Sequence, residues 1–237
     1  MRWLRVAGDQ WSLAFGELQF AARLRKFSRK EGWQALQSSM QGARACGDLL
    51  LVGDGLLIAS NWHRRDYPGK QDVYLAAAKD SFIAEQAPGR VVDALDAIRQ
   101  DHLQAGTMGQ FSKLVWDEFA RWPPDAPPQV LGYLRYHRGH GLITAGRAAD
   151  AVDDLRYAVA EARSRDAETP YQVYYLAAAC HAAGLYRQAA DELDRTLYWL
   201  DNLRNMGKLA EPGIDQRAHA LLAECRRALG EPEVSTG

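Results

Sequence analysis

From about residue 71 almost to the end of the chain, apolar residues recur every three or four positions, the period of an amphipathic helix. The spacing predicts helices over 71–86, from Pro88 to about Gln104, and after Gly106, where Phe111, Leu114, Val115, Phe119 and Trp122 fall on one face. Further helices are expected at 129–145, 147–164, 170–183, 185–204 and 213–229. Gly146, Gly184 and Gly230 stand where three of them end, and Pro88 and Pro170 stand where proline is tolerated at a helix start. Pro212 precedes the last. The segment Trp122-Pro-Pro-Asp-Ala-Pro-Pro128 excludes helix and marks the clearest boundary in the chain.

The first 70 residues are less regular. Leu18–Lys30 reads as a helix. Asp48 to Ala59 is two apolar runs around Gly53-Asp-Gly55, a pattern that fits a small β-hairpin or a helix pair broken at the glycines. The expected fold is therefore mostly all-α. Its divisions are an N-terminal region of open fold (1–70), a helical region with a degenerate repeat (71–122), repeats with a capping helix (129–230) and a short tail (231–237).

One block recurs. Gly89 is followed by Ala94 and Ile98, Gly146 by Ala151 and Leu155, and Gly184 by Ala189 and Leu193, with the same spacing each time. A glycine closing one helix, and a small residue letting the next approach closely, is how a helix-turn-helix repeat is written. Residues 129–204 resemble tetratricopeptide repeats, whose unit of about 34 residues carries small side chains near positions 8, 20 and 27. With Gly146 near position 15, those places hold Gly139, Ala151 and Ala158; with Gly184 there, they hold Ala177, Ala189 and Thr196. Gly89 with Ala94 resembles an earlier degenerate copy, and Ala223 before Gly230 a final half-repeat. Departures are the arginines Arg135 and Arg138 in the first helix, and unequal steps. Gly146 to Gly184 is 38 residues and Gly89 to Gly146 is 57, which implies an inserted helix near 107–121.

The resemblance implies antiparallel helix pairs stacked as a short solenoid, because each pair leaves an apolar face that only its neighbour covers. It also implies a concave groove lined by Tyr133, Tyr136, His140 and Ile143 in one repeat and by Tyr171, Tyr174, Ala178 and His181 in the next. Tyrosine supplies rigid contact area with a hydroxyl at its tip, a common composition for binding hot spots. The family's clamp for acidic C-termini uses Lys, Arg and Asn, which these positions lack. The implied ligand is a peptide or helix of another protein with apolar or aromatic residues. The bland alternative is that the same tyrosines simply pack within the fold.

Charge adds a second candidate surface. Residues 1–70 carry eleven Lys/Arg against six Asp/Glu, and the remainder eighteen against twenty-four, so the two stretches have opposite sign. Arg23, Arg25, Lys26, Arg29 and Lys30 fall within eight residues, and Arg64 and Arg65 follow in Trp62-His-Arg-Arg-Asp-Tyr67. These form a possible basic docking patch, with a solvated helix face favoured over nucleic-acid binding.

No phosphate-binding loop, nucleophile elbow or metal-ligand spacing is present, and His137 with His140 lacks further ligands. The expectation is a chain that is not an enzyme and has no cofactor or metal. Cys46, Cys180 and Cys225 are odd in number and dispersed, which suits a reducing compartment, so a cytoplasmic location is expected. The longest apolar run, Val173 to Cys180, is too short to span a bilayer.

Overall fold

A computed structural model describes residues 9–24, 28–63, 70–207 and 213–231. Among the described residues 84% are helical and no strand occurs. Eleven α-helices follow one another: α1 (Gln10–Leu24), α2 (Arg29–Ala45), α3 (Leu49–His63), α4 (Lys70–Ala84), α5 (Pro88–Gln104), α6 (Met108–Arg121), α7 (Pro128–Thr144), α8 (Val152–Ser164), α9 (Pro170–Ala182), α10 (Tyr186–Asn205) and α11 (Ile214–Ala228). A short 3₁₀ turn, Ala148–Ala151, precedes α8.

Chain contacts divide the protein into two compact units, one to Phe111 and one from Ser112, with the division inside α6. In the first unit α1 packs on α2, α3 on α4, and α5 against α4. In the second α7 packs on α8 and α9 on α10, with α11 closing on α10. The odd-numbered helices α7, α9 and α11 also touch one another in sequence, so they form one layer. Odd-numbered helices start at residues 10, 49, 88, 128, 170 and 214, steps of 39, 39, 40, 42 and 44 residues. The helix at Met108–Arg121 is thus no insertion. In chain order it falls between two odd-numbered helices, as α8 and α10 do.

The reversals are made the same way. At Gly47, Gln86, Gly106, Gly146, Asp166, Gly184 and Gly230 the backbone enters the left-handed region with φ between 51° and 74°. In each case that residue donates its N–H to a carbonyl three residues back, and the next residue donates to one five back. This Schellman pattern satisfies carbonyls that a helix end leaves open. Five of the seven positions are glycine. Gly89 is not among them; it lies inside α5, and the glycine equivalent to Gly146 and Gly184 is Gly106.

Residues 49–63 are helical, so the hairpin alternative is overturned. Asp48 accepts a hydrogen bond from the Leu51 N–H at 2.8 Å and starts the helix. Leucine carries no strand preference that would oppose it. Gly53 and Gly55 do not turn the chain. They face Phe82 of α4 and Met40 of α2, where a Cβ would overlap those side chains. Leu18–Lys30 is also not one helix, since α1 ends at Leu24 and α2 begins at Arg29.

The core is mostly aliphatic, with Phe82 and Phe111 among its largest side chains. Leu18, Leu36, Val52, Leu75, Phe82, Val91 and Leu95 fill the first unit; Val130, Leu134, Leu155, Val173, Leu176, Leu193, Leu200 and Ile214 fill the second. Ala151, Ala158, Ala177, Ala189 and Thr196 are all buried. At Gly139 an added Cβ would come within 2.7 Å of Leu155 on α8. Small residues thus mark where two helices come closest.

Left-handed φ strains a side-chain-bearing residue by about 1 kcal/mol or more. Gln86→Gly and Asp166→Gly are each expected to raise unfolding free energy by about 0.5–1 kcal/mol, seen as a higher denaturant midpoint at unchanged slope. Gly184 has open space around its Cα but φ of 74°, so Gly184→Ala should lower stability by about 1 kcal/mol through the backbone alone.

Candidate functional site

A row of rings crosses the odd-numbered layer of the second unit. Along α7 the Tyr133 ring lies 4.4 Å from His137, and Tyr136 lies 4.9 Å from His137. The row then passes to α9, with Tyr136 6.3 Å from Tyr175 and the His140 ring edge-on to Tyr175 at 4.6 Å. Tyr174 meets Tyr175 at 5.4 Å, and the Arg217 guanidinium of α11 lies over Tyr174 at 5.9 Å. All six rings are half-buried.

The sequence places them there. Tyr133, Tyr136, His137 and His140 fall three or four apart, hence on one side of α7. Thr169 caps α9 by accepting from the Gln172 N–H at 3.3 Å, while the Gln172 side chain accepts from the Thr169 N–H at 2.9 Å. Pro170 occupies the first turn of that helix. This reciprocal capping sets the start of α9, and so fixes which way Tyr174 and Tyr175 project.

Of the residues proposed for the groove, Tyr133, Tyr136, His140 and Tyr174 belong to this row. Ile143 and Tyr171 are half-buried against the aliphatic core. His181 sits elsewhere, at the far end of α9. Its Nε2 is 3.3 Å from a Glu224 carboxylate oxygen and its ring is 5.4 Å from Tyr186. His137 and Tyr175 join the row although the repeat register did not select them for it. The adjacent pair Tyr174-Tyr175 was the available signal, because two neighbouring rings on a helix spread a site sideways.

Arg135 and Arg138, the two departures from the repeat pattern, are held by aromatic faces and a carboxylate. Arg138 lies over Phe119 at 3.7 Å and Trp116 at 5.1 Å, and its guanidinium donates through two nitrogens to the buried Asp154 of α8. Arg135 lies over Tyr157 at 4.2 Å. A planar guanidinium stacks on rings while keeping its in-plane donors for a carboxylate. Both cations are therefore spent within the fold.

In the basic patch Arg23 ends α1, while Arg29 and Lys30 open α2; all three are exposed. Two cations in the first turn oppose the helix dipole. Arg25, Lys26, Arg64 and Arg65 lie outside the described residues.

Cys180 and Cys225 are fully buried, and burial pushes both thiols up from their ordinary value; Cys46 is exposed. A scan of the chain against protein-family models and a search of curated proteins both find no match.

Removing one partner of a buried ion pair leaves the other charge uncompensated, which costs about 3 kcal/mol. Asp154→Ala is expected to lower stability by about that amount in urea unfolding, and Arg138→Met combined with Asp154→Leu should regain most of it. Because thiolate, not thiol, is alkylated, iodoacetamide should label Cys46 in the folded protein and reach Cys180 and Cys225 only after unfolding, as read by mass spectrometry.

Proposed function

We propose that this chain is a tetratricopeptide-like adaptor or assembly factor, which holds a peptide or helix of a partner protein along the odd-numbered layer of its second unit. The reading is of a binding module and not an enzyme. One observation carries it. The aromatic row runs over helices from which free charge has been removed. α9 contains no Asp, Glu, Lys or Arg, and the two arginines of α7 are engaged by rings and Asp154. A strip of tyrosine and histidine on α7 and α9, whose only Lys or Arg residues are the engaged Arg135 and Arg138, selects for apolar and aromatic side chains and against acidic tails.

The alternating pattern supports the same reading. Charges concentrate on α8 and α10, the helices beside α7 and α9. Glu168, in the turn before α9, accepts from Arg163 of α8 at 2.6 Å and from Arg195 of α10 at 2.8 Å, and Arg163 also reaches Glu192 at 3.2 Å. Arg156 of α8 donates to Gln188 of α10 at 3.0 Å. Charge is used to join neighbouring repeats on one side, and rings are presented on the other. Among the described residues no helix is long and apolar enough to cross a membrane.

Affinity purification from the native cell, run in parallel with the wild-type chain and with Tyr136→Ala combined with Tyr174→Ala, tests this reading. The expected outcome is a partner retained by the wild type, also at high salt, and lost by the double variant at unchanged circular dichroism. Retention of that partner by the double variant would sink the groove assignment.

A further inference from the structure

The outward face of α1 has no cover within the chain's described residues. Trp11, Phe15 and Phe20 are 47%, 42% and 46% exposed, and Trp11 stacks flat on Phe15 at 5.5 Å between centroids. The opposite face, Ala14, Leu18 and Ala21, is buried against the rest of the first unit. At ~100° per residue the exposed residues Trp11, Phe15, Gln19, Phe20, Ala22 and Arg23 occupy about half the circumference. A helix face that meets water is normally polar. Here that face is aromatic.

We propose that a second copy of this chain covers it, through an antiparallel pairing of α1 with α1 about a twofold axis. The charges on the helix make it self-complementary in this sense. Asp9 caps the N-terminal end, accepting from the Ser12 N–H at 2.9 Å, and exposed Arg23 stands in the last turn. The two are about 21 Å apart at ~1.5 Å per residue. A twofold centred near Gly16 sets Asp9 of each copy against Arg23 of the other and opposes the helix dipoles favourably. The same operation places Phe15 against its own counterpart and lays Trp11 over the small Ala22 of the second copy. Gly16, on the exposed side near the axis, has no side chain to hold the backbones apart.

The area sets the strength. Three rings of about 150–250 Å² each, a little under half exposed, leave roughly 300 Å² per copy. A pair therefore covers roughly 600 Å² of ring surface, against about 1,600 Å² for a standard stable interface. The dimer is reversible and concentration-dependent.

Sedimentation velocity on the full chain over a wide concentration range tests this. The weight-average mass should climb from 26.4 kDa towards twice that value, while Phe15→Asp stays at the lower value throughout. Arg23→Asp should weaken association at least about tenfold, the loss expected from one interface hot spot. Asp9→Arg added to Arg23→Asp should restore association, because the pair is then re-formed with reversed signs. Oxidation of Phe15→Cys in a Cys46→Ser background should yield a covalent dimer, which tests the axis even where Phe15→Asp fails to fold. A wild-type chain that remains at the monomer mass at every concentration overturns the proposal. So does a dimer that is indifferent to Phe15→Asp, or a Phe15→Cys variant that forms no disulfide-linked dimer on oxidation.

Discussion

Five helices, α2, α3, α4, α7 and α8, are held at the distance set by a large side chain resting on a neighbour's glycine, and much of the arrangement depends on that contact. Phe82 rests on Gly53, Trp62 on Gly32, Met40 on Gly55 and Leu155 on Gly139. Glycine inside a helix costs about 1 kcal/mol relative to alanine. That cost is offset because close approach lets one bulky group touch backbone as well as side chains, and dispersion falls steeply with any gap. Phe82 and Leu155 are fully buried as a result. Each such contact joins two neighbouring helices, within a pair at Gly53 and Gly139 and between pairs at Gly32 and Gly55, and so fixes the rotation of both. The aromatic face left over on α7 follows from the rotation set at Gly139.

How much of this could be read in the sequence differed by region, for physical reasons. From residue 70 onward the helix bounds lay within about two residues of expectation, because apolar period, proline starts and glycine ends all agreed there. The start of α8 is the exception, since a 3₁₀ turn takes up Ala148–Ala151 before it. Glycine was informative only when it terminated a helix. Gly53 and Gly55 resembled a turn and are packing contacts; Gly89 resembled a cap and lies within α5. At Gln86 and Asp166 the left-handed conformation is taken by residues other than glycine, and there the following Pro88 and Pro170 marked the boundary. The step of 57 residues came from aligning Gly89 with Gly146; counted from Gly106, the glycine that ends α5, it is 40. The break after α1 was hidden because Leu24 and Phe27 continue a helical spacing across it. Of the aromatic row, four members were legible from the repeat register. Tyr175 and His137 were not, since they enter it through contacts across helices and beside the register positions.

Arg135 and Arg138 show how a departure from a pattern can preserve what the pattern achieves. A first helix of this kind ordinarily fills these positions with apolar bulk. Here two long cations occupy them, and Phe119, Trp116 and Tyr157 supply the faces on which the guanidinium planes lie. The packing volume is kept by the arginine stems and rings together. Desolvation of Arg138 is offset by the ring faces of α6 and by two-point donation to Asp154, which persists only while α7 and α8 keep their register. An apolar pair would tolerate sliding; a fork seated on a carboxylate does not.

That rigidity bears on binding. A ring presented for a ligand contributes most when its position is already determined before the ligand arrives, because less side-chain freedom is then lost. Tyr136 and His140 project from the same helix that Arg138 locks to α8. Tyr174 and Tyr175 project from a helix whose start is fixed by the Thr169–Gln172 cap. The carboxylate of Glu168, just before that cap, ties the turn to α8 and α10 through Arg163 and Arg195. Polar interactions on the far sides of α7 and α9 thus set the places of the rings while contributing nothing to the surface that a ligand would touch. A strip with few charges of its own is positioned by charges that lie elsewhere, which is why neither the tyrosines nor the ion pairs alone account for the site.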